Sequence, residues 1–110
     1  MRKANKVALQ RLATARKLLP QEDRKPFYDE ISKAIWLYLS DKLGIPLSAL
    51  SRDTALASLN EKKVPADVQK NFESVIWDCE TALYATGSAK RKEHTYEEAV
   101  KVISDLEDYI

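Results

Sequence analysis

One cysteine, one histidine and two glycines are all that this 110-residue chain holds of those types. The single Cys79 leaves no disulfide framework within the chain and fits a reducing compartment. One His and one Cys supply no cluster of metal ligands, and Cys79 and His94 have no spacing that supports a nucleophile–base pair. There is no glycine-rich phosphate loop. Nothing in the composition or motifs points to a cofactor, a metal or a small-molecule substrate, and the expectation is a protein that is not an enzyme. No apolar run approaches the roughly 18 residues of a membrane span, and there is no secretory apolar segment. With so few glycines and four prolines the chain has few turns. Long helices are the economical reading.

What is present agrees. Hydrophobic residues make up 45% and charged residues 32% of the chain, the mixture of a folded domain and not of a disordered one. The length implies one domain over residues 1–110. The net charge is +1, but its distribution is uneven. Residues 1–20 carry Arg2, Lys3, Lys6, Arg11, Arg16 and Lys17 and no acid. The last turns carry Glu97, Glu98, Asp105, Glu107 and Asp108 against Lys101. Opposite charges favour packing these two ends side by side; two separately solvated faces are the alternative.

Periodicity then divides the chain. Residues 4–19 place Ala4, Val7, Ala8, Leu12, Ala15, Leu18 and Leu19 on one helical face. Arg11 falls inside that apolar arc, so it either snorkels to solvent or meets a carboxylate from a neighbour. Pro20 stops this helix. Pro26 fits the first turn of the next, which runs to about Leu43. Its stripe is Phe27, Ile31, Ala34, Ile35, Tyr38 and Leu39, widened by Trp36 and Leu43. Leu37 sits in the middle of its polar arc, beside Asp29, Glu30, Lys33, Ser40 and Asp41. Gly44 is placed as a C-cap, with Pro46 behind it. The two helices read as an antiparallel hairpin of tetratricopeptide-like length, with no second copy at a fixed period.

Residues 45–50 read as a single turn or a 3₁₀ piece with Ile45, Leu47 and Leu50 pointing inward. Ser51 or Asp53 caps a short helix to about Glu61, with Leu56 and Leu59 inward. A long helix over 66–85, fifth in order if the turn is counted, carries the stripe Val68, Phe72, Val75, Ile76, Cys79, Ala82 and Leu83. Trp77 and Tyr84 fall on its opposite face, among Lys70, Glu73 and Glu80. Such aromatics are either covered by another helix or form a partner surface. Residues 86–94 read as a loop made basic by Lys90, Arg91 and Lys92. Thr95 and Glu98 have the form of a capping box opening a last helix with Ala99, Val102, Ile103, Leu106 and Ile110 inward. The sum is an all-α compact bundle of about five to six helices. Its N-terminal hairpin packs on the long fifth helix and the C-terminal helix.

A helix-turn-helix reading of the Val64-Pro65 break would make the long helix a reader of DNA. Its polar face holds Asp67, Lys70, Glu73, Asp78 and Glu80 and would be repelled by phosphate. Nucleic-acid binding through the basic first helix is the alternative function.

The stretch FYDEISKAIWLYLSDKLGIPLSALSRD, with ANKVALQRLATARKLL before it, resembles the C-terminal domain of the BatD family of bacterial aerotolerance, or oxygen tolerance, proteins. Asp78-Cys79-Glu80-Thr81-Ala82-Leu83-Tyr84-Ala85 is similar to a DCExARYAP-like motif of that family, and YEEAVKVISDLE also fits. The likeness covers nearly all the chain and departs at Leu83 and Thr86, where the family pattern has Arg and Pro. It implies a membrane-anchored protein with extracytoplasmic β-sandwich modules, a transmembrane helix and this helical domain at the C-terminus. The chain would then be a fragment, with Met1 an added start. Residues 1–20 would be a basic juxtamembrane helix, and the domain would lie on the cytoplasmic side of the inner membrane. The implied partners are a MoxR-type AAA+ ATPase, von Willebrand factor A proteins and tetratricopeptide proteins. Expected contact residues are Leu37, Trp77, Tyr84, Lys90, Arg91 and Lys92, with Arg2, Lys3, Lys6, Arg11, Arg16 and Lys17 facing the membrane side.

Overall fold

The chain is described by a computed structural model over residues 3–21, 23–84 and 92–110, with side chains at 6–21, 23, 25–81 and 92–110. It is all-α: α1 (Lys3–Lys17), α2 (Arg24–Leu43), a 3₁₀ turn (Leu47–Ala49), α3 (Arg52–Glu61), α4 (Ala66–Tyr84) and α5 (Lys92–Glu107).

Each described boundary has a local cause. After α1 the chain tightens into i→i+3 bonds, Leu18 N–H to Ala15 C=O and Leu19 N–H to Arg16 C=O, and reaches Pro20. Asp23 caps α2, its carboxylate accepting from the Lys25 N–H at 3.2 Å. Pro26 therefore lies in the first turn, where its missing N–H costs nothing. Gly44 closes α2 in the left-handed region at φ 68°, donating its N–H to Ser40. Ser51, not Asp53, caps α3 and accepts from the Thr54 N–H at 3.2 Å. The chain leaves α3 through Lys63 at φ 61°, a left-handed position held without a glycine.

α2 is the centre. Phe27, Tyr28, Ile31, Ala34, Ile35, Tyr38 and Leu39 are all buried along it, and it packs against α1, α4 and α5. α1 lies antiparallel on it through Ala8, Leu12 and Ala15. The two alanines keep the helices close. α4 contributes Val68, Phe72, Val75, Ile76 and Cys79, and α5 contributes Ala99, Val102, Ile103 and Leu106, to one continuous core that also takes Ala55 and Leu59 of α3. α5 packs on α1 as well as on α2 and α4, so the basic and acidic ends are neighbours.

Several expectations are corrected here. Val7, placed on the inward face of α1, is exposed, because among the described residues that flank of the hairpin faces no other helix and borders a groove instead. Residues 45–50 do not point inward as a set: the 3₁₀ turn has no buried residue and Leu47 is 49% exposed. Thr95 is not an N-cap. α5 begins three residues earlier, at Lys92, and Thr95 is fully buried in its first turns. The Glu98 carboxylate that would complete a capping box lies 3.3 Å from His94 Nε2. Asp78, assigned to the polar face of α4, is only 3% exposed. α5 covers that flank, and the Thr95 hydroxyl donates to the Asp78 carboxylate at 3.5 Å.

Candidate protein-docking surface

The reactive groups do not converge. Cys79 is buried on the core side of α4, and burial, reinforced by the neighbouring carboxylates of Asp78 and Glu80, pushes its thiol up to about 12. A thiol so held stays protonated at neutral pH and is a poor nucleophile. His94 is at the surface, turned to Glu98 one turn further along α5. Among the described residues no group of three or more His, Cys, Asp or Glu is arranged to hold a metal ion.

The polar chemistry of the interior is structural. The Tyr38 hydroxyl donates to Glu107 at 2.5 Å, and Lys42 reaches the same carboxylate oxygen at 3.3 Å. The Lys42 and Glu107 side chains are 12% and 9% exposed, so this cluster ties the C-terminal end of α2 to that of α5 in a largely covered seam. Arg11 meets a carboxylate, as one of its two expected fates required: its Nη1 is 3.3 Å from Glu30 Oε1 across the hairpin.

Two surface features stand out. The first surrounds Leu37. This half-buried side chain lies between two grooves, one of about 360 Å³ shared with Val7, Tyr38 and Asp41, and one of about 530 Å³ shared with Trp36, Leu47 and Leu50. Arg11 borders both. The second is Trp77, 63% exposed on the outer face of α4. Among the described residues no helix covers it, so the reading that another helix packs over it does not hold for Trp77. Trp77 lines neither groove, and the structure does not bring it together with Leu37. What sequence reasoning did not find were the flanking parts, Val7 and Leu47, because their exposure depends on which faces of α1 and the 3₁₀ turn the other helices leave open.

Of the remaining expected site residues, Lys92 opens α5 and its ammonium donates to the Gln21 carbonyl in the turn between α1 and α2. Lys6, Arg16 and Lys17 are exposed on α1. The side chains of Lys3 and Tyr84, and all of Arg2, Lys90 and Arg91, lie outside the described residues. None of the helices, among the described residues, is long and apolar enough to cross a membrane. No protein family, curated protein or solved structure matches the chain.

Proposed function

We propose that this domain works by binding and not by catalysis, as a docking module for a protein partner. The observation that carries the reading is Trp77, a large aromatic on the solvent face of a helix whose opposite face fills the core. Exposed tryptophans of this kind are the anchors of interfaces, and the apolar grooves beside Leu37 offer a second contact area. The resemblance to the BatD family supplies the setting: the cytoplasmic side of a bacterial inner-membrane aerotolerance protein. In that setting the partner is a MoxR-type AAA+ ATPase, a von Willebrand factor A protein or a tetratricopeptide protein.

The test is a pull-down with the purified ATPase, using Trp77→Ala and Leu37→Ala with circular dichroism as the control for folding. Loss of binding on a folded variant supports the reading. Binding unchanged in both variants sinks it. A second reading rests on the exposed Lys6, Arg16 and Lys17 of α1, an acid-free face suited to a nucleic-acid backbone. Binding to duplex DNA that survives moderate salt and fails when these three are neutralised would favour it.

A further inference from the structure

Trp77 does not stand alone on α4. Glu73 lies four residues before it and Glu80 three residues after, so the three share one stripe of the helix, and both carboxylates are exposed. The stripe already holds one guanidinium. Arg52 of α3 pairs with Glu80 through its Nη2, while its Nε has no partner among the described residues. Glu73 is different, since no hydrogen bond or ion pair engages it among the described residues. An open carboxylate one turn from an open indole is a pairing that favours a cation. The ring face attracts it through its quadrupole and the carboxylate through charge. Two cations oppose this, Lys70 one turn before Glu73 and the Arg52 guanidinium, whose charge is matched by Glu80.

We infer that Trp77 and Glu73 form a receptor for a basic side chain, an arginine above all, carried by an exposed segment of the partner protein. The inference rests on the docking reading and gives the partner its chemistry. A planar guanidinium can lie on the indole face while its edge donates to a carboxylate, which a lysine ammonium does less well. The occupant is a basic segment because the free charge beside the tryptophan is acidic; an acidic or purely apolar segment would leave Glu73 unpaired or repelled.

The experiment titrates the 110-residue chain with hexaarginine, hexalysine and hexaglutamate, following the two indole N–H signals of Trp36 and Trp77 by NMR. Hexaarginine is expected to shift the Trp77 signal and leave Trp36 in place, with hexalysine weaker and hexaglutamate silent. Trp77→Leu keeps the fold and loses about fivefold in affinity, whereas Trp77→Tyr retains most of it. Glu73→Gln loses about threefold and flattens the salt dependence, and Lys70→Gln tightens binding. Hexaarginine binding equally well to Trp77→Leu, or to Glu73→Gln, overturns the proposal. Self-association of the chain that disappears in Trp77→Leu also overturns it, making the occupant a second copy. If the ATPase docks through Trp77 but hexaarginine does not bind, this inference fails and the docking reading stands. If hexaarginine binds as expected and no partner docks, the receptor stands and the docking reading fails.

Discussion

Trp36 and Trp77 sit on two helices that pack together, and their surroundings are opposite. Trp36 turns its ring onto Phe72 of α4, edge to face, with centroids 5.8 Å apart. Phe72 is fully buried, and the contact belongs to the seam between α2 and α4. Trp77 is five residues further along α4, on the far side, and touches no ring among the described residues. One helix thus has a face that the fold consumes and a face that the fold leaves over. The comparison teaches that residue type alone does not separate core from contact surface here. What separates them is the arc of the helix on which each ring falls.

The largest effect expected is on the consumed face. Phe72→Ala removes a fully buried ring and the partner of Trp36, and should cost about 3–5 kcal/mol in urea unfolding. A smaller loss would mean that the seam is looser than its burial indicates, and the contrast between the two faces would weaken.

The same contrast holds for charge. Lys42 and Glu107 meet in a largely covered seam, whereas Arg52 and Glu80 meet in the open, with side chains 40% and 51% exposed. Glu107→Gln leaves the Lys42 ammonium without its counter-charge and weakens the bond from Tyr38, a loss of about 2–3 kcal/mol. Glu80→Gln should cost about 0.5 kcal/mol and become undetectable at high salt. Equal effects from the two substitutions would break the distinction between covered and open pairs.

Much of this was legible in the sequence, for physical reasons that also mark where legibility stopped. The stripes of α2, α4 and α5 follow from period, and Gly44 and Ser51 act as caps because capping is local. Lys63 in the left-handed region gives no such signal, since a glycine was the residue to look for. Tyr28 is fully buried against Phe27, ring centroids 5.0 Å apart, although it lies outside the stripe read from period. The helix is covered on more sides than one stripe describes. Asp78 and Thr95 were misread for one shared reason: their burial comes from each other's helix, 17 residues away in sequence. Trp77 and Leu37 were visible as apolar residues on polar arcs, but whether another helix covered them was a tertiary fact.

Thr95 offers a direct check on that misreading. Were it an N-cap, Thr95→Asn would be neutral or stabilising. Buried against Asp78, the larger amide has neither room nor solvent, and the substitution should cost about 2 kcal/mol by thermal or urea unfolding.

Cys79, two residues from Trp77 and on the other face, brings pH into the comparison. Its thiol is pushed from the ordinary 9.0 up to about 12, chiefly by burial. The folded state therefore holds the proton more tightly than the unfolded one. The stabilisation is complete below pH 9 and is lost as pH rises toward 12, at about 1.4 kcal/mol per unit. The measurement is the difference in stability between the natural chain and Cys79→Ala, since lysines and tyrosines titrate in both. That difference should be constant below pH 9 and shrink above it. A constant difference throughout would mean that the thiol is reached by water and that the inner face of α4 is open.

The smallest effect is the most telling. Trp77→Ala removes the largest apolar side chain on the outer face, yet this ring is 63% exposed and its neighbours there are Glu73 and Glu80. Little area returns to water on its loss, so unfolding free energy should move by about 0.5 kcal/mol or less. A domain that loses its partner on Trp77→Ala while keeping its unfolding curve would show that the residue serves the interface and not the core. A loss of several kcal/mol would reverse that assignment, make Trp77 part of the packing of the fold, and remove the aromatic anchor on which the proposed docking rests.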